Sequence, residues 1–313
     1  MQKAVEFNSC GDTIRGVLHI PDNARGKPPL VIMAGGWCYV KEIVMPYYAD
    51  DFVDIGCACL IFDYRCFGES EGTPRQHIDP WGQIEDYRNA ISFAKTLTEI
   101  DTDRIGVWGI SYSGGHALCV AALDTRVKFA LSVVPVVDGF PTMRRCHGER
   151  KFAALSKLVM EDRERRQRGE PGGMMPMSTT DPDNVASAWP FPHVCTIFND
   201  IKEREAPNHR HENTIESVEL LMQYDVMPYA KRLYETPYMM AIAKGDNITS
   251  SDLEIDVFNA VPCPNKHLAI VEDVDHMSLY SNNEHLAKVS GAQADWLRDL
   301  LFAPEALLAQ AAE

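Results

Sequence analysis

One stretch restricts this chain more than any other: Arg104-Ile-Gly-Val-Trp-Gly-Ile-Ser-Tyr-Ser-Gly-Gly-His116. Ile105 and Val107, with Arg104 ahead of them, read as a short strand. Gly114, Gly115, Ala117, Leu118, Val120, Ala121 and Leu123 read as a helix with an apolar stripe. Ser111 falls between the two, on a sharp turn. A serine held there has a strained backbone, an exposed hydroxyl and a helix N-terminus beside it. Main-chain N–H groups can then receive developing negative charge, which is what a nucleophilic serine needs. The stretch departs from Gly-x-Ser-x-Gly at its fifth position, where Ser113 stands and glycines follow at 114 and 115. Small size is what that position requires, because strand and helix nearly touch. The competing interpretation is an ordinary Gly-Ser turn in an α/β protein.

The surrounding rhythm is that of alternating strands and helices. Strands are expected at Thr13 to His19 (turned by Pro21, Asp22 and Asn23), Leu30 to Met33, Ala58 to Asp63, Arg104 to Trp108 and Phe129 to Pro135. A helix is expected at Pro46 to Asp54. Another starts at Asp79-Pro80, with Asp as N-cap, Pro at the first helical position, and Ile84, Tyr87, Ile91 and Ala94 on one face. This alternation predicts a mostly parallel sheet covered on both faces. It stops near Val137. Charged stretches (Glu161 to Arg168), a Gly/Pro/Met-rich passage (Pro171 to Met177) and a helical segment from Asn213 to Gln223 follow without strand alternation. The run at 161–168 reads as a solvated helix face. Strands return at Tyr238 to Ala243 and His267 to Val271, with helices from Asp252 to Ala260 and through Trp296 and Leu300. The expected organisation is a core of 1–137 and 236–313, with 138–235 as an inserted, mainly helical cap.

Bulk properties narrow the classes. A chain of 313 residues can hold one large α/β domain, or one such domain carrying an insertion. Its net charge of −15 argues against nucleic acid or an anionic membrane as main partner. No apolar stretch reaches the ~18 residues of a transmembrane helix, and the N-terminal residues lack an apolar signal core, so a cytoplasmic protein is expected. Nine cysteines without paired spacing read as reduced, mostly buried small residues, with neither disulfides nor a metal site.

A serine hydroxyl needs a base and a group to orient that base. In an open parallel sheet, functional groups collect beyond the C-terminal ends of the strands. The loop after Ala243 offers Asp246, and the loop after Val271 offers His276. The order Ser111, Asp246, His276 is the one expected of the α/β-hydrolase arrangement. Asp138 and Asp252 are rival acids, although Asp252 fits better in the first turn of the next helix. His116 is expected to pack or to face solvent, and His209 and His211 to lie on a solvated loop. For the oxyanion hole, the N–H of Tyr112 needs a companion. The turn Met33-Ala-Gly-Gly-Trp-Cys38 supplies it, with Trp37 the assigned donor and Gly36 or Cys38 as neighbours that would serve.

Several stretches resemble a known family. They are Gly35-Gly-Trp-Cys-Tyr-Val-Lys-Glu42, Phe62-Asp-Tyr-Arg-Cys-Phe-Gly-Glu-Ser70, Ile78-Asp-Pro-Trp81 through Ile84-Glu-Asp-Tyr87, Trp108 to Gly115, and Lys244-Gly-Asp-Asn-Ile-Thr249. Together they look like α/β-hydrolase-fold enzymes of the branch near the dienelactone hydrolases, which includes polyketide thiohydrolases and polyketide acyltransferases. The resemblance covers 1–137 and 236–313, and the cap more loosely. It implies Ser111 as nucleophile, Asp246 as orienting acid and His276 as base. Gly35 departs from the pattern, since many relatives carry His before the Gly of the oxyanion turn.

The expected function is a serine hydrolase that cleaves a carboxylic ester or thioester through an acyl-enzyme, without metal or organic cofactor. The substrate is expected to be a small molecule with an apolar, aromatic or polyketide-like acyl group, free or carrier-bound. Gly36, Cys38, Phe140, Trp189 and Met277 are the expected substrate contacts. The alternatives are an acyltransferase passing the acyl group to an alcohol or amine, and a catalytically silent binding protein of this fold. A homodimer stays open.

Overall fold

The computed structural model describes residues 1–22, 24 and 26–302. Asn23 of the expected turn and residues 303–313 of the expected core therefore lie outside the described residues. The chain opens on an antiparallel hairpin, β1 (Gln2–Ser9) and β2 (Asp12–His19). β3 (Pro29–Ala34), α1 (Met45–Asp54), β4 (Ala58–Phe62), α2 (Pro80–Ala94), β5 (Asp101–Ile110), α3 (Tyr112–Leu123) and β6 (Val127–Val133) follow. There the chain leaves the sheet and builds an insert: α4 (Gly139–Gln167), β7 (Met174–Pro176), α5 (Pro192–Arg204), β8 (Glu212–Thr214), α6 (Ile215–Leu221) and α7 (Met227–Ala230). It returns with β9 (Tyr238–Ala243), α8 (Ser251–Ala260), β10 (Lys266–Val271), α9 (Ser278–Ser281) and α10 (Asn283–Phe302).

Among the described residues eight strands form one sheet in the order β1-β2-β4-β3-β5-β6-β9-β10. From β4 to β10 every neighbouring pair is parallel, while β2 meets β4 antiparallel. Helices cover both faces, α1 packing with α10, and α2, α3, α7 and α8 in succession. β3, β4 and β9 are buried along their whole length, which explains why each reads as an unbroken apolar run. The start of α2 is as expected: Asp79 accepts a hydrogen bond from Trp81 N at 3.0 Å, with Pro80 behind it. On that helix Tyr87 ties two strand ends together. Its hydroxyl donates to Trp108 O (2.6 Å) and accepts from Ala34 N (3.1 Å), fixing the tips of β5 and β3 from which the site is built.

The insert departs from expectation in three respects. It contains a two-stranded antiparallel ladder, β7 with β8, so Glu212 to Thr214 is strand where a helix was expected from Asn213. The helix begins only at Ile215, because the Thr214 hydroxyl caps it by accepting from Ser217 N. The charged run at 161–168 is no mere solvated face. Asp162 is buried, Arg166 bridges Asp162 (3.0 Å), Glu216 (2.6 Å) and Glu219 (2.5 Å), and Arg163 also meets Glu219, so the run clamps α4 onto α6.

A buried ion pair anchors the loop after β3. Lys41 Nζ lies 3.0 Å from Asp63 Oδ2, and Asp63 also accepts from Lys41 N (2.7 Å) and Glu69 N (3.0 Å). Glu69 and Glu42 complete the cation's surroundings at 2.6 and 3.0 Å. Asp63→Ala removes the buried partner of Lys41, leaving it the more exposed Glu69 and Glu42, and leaves two main-chain donors unpaired, so it lowers unfolding free energy by about 3 kcal/mol. Urea denaturation of the variant checks this; a loss below ~1 kcal/mol contradicts it.

Candidate active site

Ser111 sits at the tip of β5 and caps α3 with φ 56° and ψ −121°, a left-handed conformation costly for any residue but glycine. Its surroundings hold it there. Ser111 N donates to Val133 O (2.8 Å), and Ser111 O accepts from Gly114 N (2.9 Å) and Val136 N (3.0 Å). Strand and helix touch so closely that a Cβ on Gly109 would lie 2.0 Å from Ser113 O. Ser113 is tolerated in place of glycine because its hydroxyl is fully used: it donates to Ala34 O (2.5 Å) and accepts from Ile110 N (3.1 Å).

The loops after β9 and β10 bring Asp246 and His276 together, Oδ2 to Nδ1 at 2.8 Å, both buried. Oδ2 also accepts from the Thr249 hydroxyl (2.7 Å), and Oδ1 from Ile248 N and Thr249 N (2.8 Å each). Burial pushes the Asp246 carboxyl up, but the imidazole and the Thr249 hydrogen bonds outweigh it and hold the acid below the ordinary carboxylate value. A carboxylate only accepts, so the ring proton sits on Nδ1 and Nε2 keeps its lone pair. Ser111 and His276 line one small cavity with Trp37, Tyr39, Met177, Trp189, Val194, Phe198, Ile248 and Met277. Among the described residues no direct hydrogen bond joins Ser111 Oγ to the ring; such contacts commonly tighten only with substrate in place.

Beside the serine lies the turn after β3. A Cβ on Gly36 would come within 2.9 Å of Ser111 Cβ, so the turn presses on that serine. Trp37 N has no acceptor among the described residues, and Tyr112 N opens α3. The insert grips this turn. Trp37 Nε1 donates to Asn213 Oδ1 (3.0 Å), the Cys38 thiol faces Glu212 O (3.4 Å), and His209 Nδ1 donates to Cys38 O (3.1 Å). His209 Nε2 in turn meets His211 Nδ1 (3.2 Å), and His211 Nε2 meets the Ser178 hydroxyl (2.6 Å). Burial, with His211 alongside, pushes His209 down to about 3, so it stays neutral. Far from lying on a solvated loop, this pair is packed under Phe198. Burial holds the Cys38 thiol well above its usual value, which leaves it a protonated neighbour and no nucleophile.

Of the expected substrate contacts, Trp189 and Met277 line the cavity, Gly36 abuts Ser111, and Cys38 is buried beneath. Phe140 does not reach it. It is 49% exposed on α4, edge-on to Phe152, because the helix turns that position outward. The rival acids are elsewhere: Asp252 is exposed and paired with Arg145 (2.7 Å), and Asp138 caps α4 through Phe140 N (3.2 Å). His116 is fully buried between Tyr224 and Gln83. Two neighbours went unforeseen. Tyr280 stacks on His276 at 5.8 Å with its hydroxyl buried and unpartnered among the described residues, and Glu254 lies behind Thr249. Among the described residues no three His, Cys, Asp or Glu side chains are placed to hold a metal, and no helix is long and apolar enough to cross a membrane.

Comparisons with known proteins bear on the fold and the family. The family described as X-Pro dipeptidyl-peptidase (S15 family) matches residues 11–174. A thiohydrolase of Aspergillus aculeatus, aneE, is 32% identical over 97% of this chain and 95% of its own. The polyketide transferase af380 of Aspergillus fumigatus is 30% identical over 94% of this chain and 97% of its own. A solved structure of DcsB in complex with its substrate analogue superposes with a TM-score of 0.82 at 25% identity, covering 97% of this chain and all (100%) of that one. The protein is thus an enzyme, with relatives that place it among ester or thioester hydrolases and acyltransferases. Within the S15 peptidase family, the chain belongs to the α/β-hydrolase-fold serine hydrolases, in the branch of these thiohydrolases and polyketide transferases.

Proposed function

We propose that this enzyme is a serine thioesterase or esterase with Ser111, His276 and Asp246 as its triad, and Trp37 N and Tyr112 N as its oxyanion hole. The observation that carries the reading is the Asp246–His276 contact at 2.8 Å beside a serine held at φ 56° in the same cavity. Ser111 Oγ attacks the acyl carbon while its proton passes to His276 Nε2. Negative charge collects on the former carbonyl oxygen, where the two N–H groups stabilise it, each worth about 10²–10³ in turnover. The C–S or C–O bond breaks, and the leaving group takes the proton from His276. Water then attacks the acyl-enzyme and gives a proton to His276; as the adduct collapses and the acid leaves, His276 returns that proton to Ser111 Oγ and frees the serine. Asp246 remains ionised throughout.

In this reading residues 138–235 act as a cap over a core formed by the rest of the chain. The cavity over Ser111 has room for the centre of little more than one water, about 20 Å³, far below the ~300 Å³ or more of a small-molecule site. The insert side chains Met177, Trp189, Val194 and Phe198 fill the rest, so an acyl group enters by displacing them. Their uncharged, partly flexible surface suits an apolar or aromatic acyl chain, polyketide-like acyl groups included. The same closure favours a second outcome, acyl transfer, because it restricts water at the acyl-enzyme.

Supplying an aryl thioester with increasing alcohol or amine separates the two. A hydrolase releases free acid at a rate the acceptor hardly changes; a transferase forms the new ester or amide in proportion to acceptor. No turnover of any ester or thioester by folded protein contradicts both.

A further inference from the structure

None of those steps uses the second carboxyl behind the site. Glu254, in the first turn of α8, is completely buried. Its Oε1 lies 2.8 Å from Thr249 Oγ1, and that oxygen lies 2.7 Å from Asp246 Oδ2. Glu254 Oε2 has no partner among the described residues. Proton counting decides what this arrangement is. Asp246 faces only donors, two main-chain N–H groups and the His276 Nδ1–H, so it is ionised and donates nothing. Thr249 owns a single hydroxyl proton, and two carboxyl oxygens lie within hydrogen-bond reach of its oxygen. Both contacts are hydrogen bonds only when Glu254 supplies the second proton. An ionised Glu254 would leave one oxygen pair with no proton between them and put a second buried negative charge beside Asp246.

Among the described residues no cation is placed to offset such a charge. Asp252, two residues earlier on α8, takes Arg145 of α4 for itself at 2.7 Å. α7, packed on α8, carries Met227, Pro228, Tyr229 and Ala230 and no charged side chain. On β9 the nearby titratable group is Tyr238, a phenol that donates to Ser132 Oγ at 3.0 Å. Burial, reinforced by Asp246, pushes the Glu254 carboxyl well above the ordinary range, in agreement with the proton count.

We infer that Glu254 is kept as the neutral carboxylic acid and donates through the Thr249 hydroxyl to Asp246, a positioning residue that orients the triad carboxylate. The inference rests on the triad reading for its kinetic consequence but not for its chemistry, so the two fail separately. Infrared difference spectroscopy of the free protein, wild type minus Glu254→Gln at neutral pH, is expected to show the C=O band of a protonated carboxyl. Carboxylate bands in its place overturn the proposal. Thr249→Val keeps the acid and removes its acceptor, so the band shifts; an unshifted band overturns the link.

Stability gives a second arm. A carboxyl with a raised native pKa stays protonated in the native state while the unfolded one ionises near pH 4.3. The native state then binds more protons, and stability falls as pH rises above that value. Urea midpoints of the wild type are expected to drop relative to Glu254→Gln between about pH 5 and 8; parallel curves overturn the inference. For turnover, Glu254→Leu lowers kcat about fivefold to tenfold with KM little moved, the worth of one hydrogen bond, and Glu254→Gln, whose amide N–H donates in the same direction, recovers it. A Gln variant as slow as Leu counts against the role.

Discussion

Ser111→Ala lowers turnover of an acyl thioester by about 10⁴- to 10⁶-fold, with a far smaller change in KM. The size follows from what the side chain alone supplies. In the proposed triad its hydroxyl is the nucleophile; Ser111 lines the cavity, while the other nearby candidate, the Cys38 thiol, is protonated and turned toward Glu212 O. The fold does not depend on that hydroxyl, because the strained backbone is held by Val133 O, Gly114 N and Val136 N. Circular dichroism and denaturation midpoint should therefore match the wild type. Intact-mass measurement with a slow ester is the direct check. The wild type gains the mass of one acyl group, mapped to the peptide holding Ser111, and Ser111→Ala gains none. Activity kept within tenfold, or an adduct elsewhere, removes Ser111 from its role.

Asp246→Asn is expected to cost about 10⁴-fold in kcat, by comparison with the same change in a known triad. The geometry here makes the reason concrete. Oδ1 receives two main-chain N–H groups, which demand an oxygen at that position. The amide must then turn its NH2 toward His276 Nδ1 and the Thr249 hydroxyl. Facing a donor, Nδ1 gives up its proton, the imidazole adopts the other tautomer, and Nε2 becomes an N–H that cannot act as base. Nitrogen NMR of the imidazole should report the exchanged tautomer alongside the kinetic loss. An Asn variant with near-normal kcat, or with Nδ1 still protonated, contradicts the assignment of Asp246.

What the sequence disclosed depended on how local the signal was. β3, β4 and β9 were legible because strands buried on both faces leave continuous apolar runs. The α2 start was legible because its cap and its proline are adjacent in the chain. β1 escaped because its alternation buries only Val5, Phe7 and Ser9, too short a pattern to stand out. The β7–β8 ladder escaped for another reason: three-residue strands, paired over a long separation, have no period to read. The residues expected at the site could be named from their positions after strand ends. Their supports could not. Thr249 and Glu254 look like the entry of a helix, and His209 and Asn213 look like loop, until distant segments are packed together. The Phe140 expectation failed because an aromatic residue near a site carries no mark of which way its helix turns it.

The grip of Asn213 on the Trp37 indole and of His209 on the Cys38 carbonyl has a corollary. On the proposed reading, the segment whose side chains line the acyl cavity is also the segment that braces the turn beside Ser111. The insert is therefore no independent module: a chimera that takes another enzyme's segment there has to bring matching partners for positions 37 and 38, or the turn beside Ser111 loses its brace.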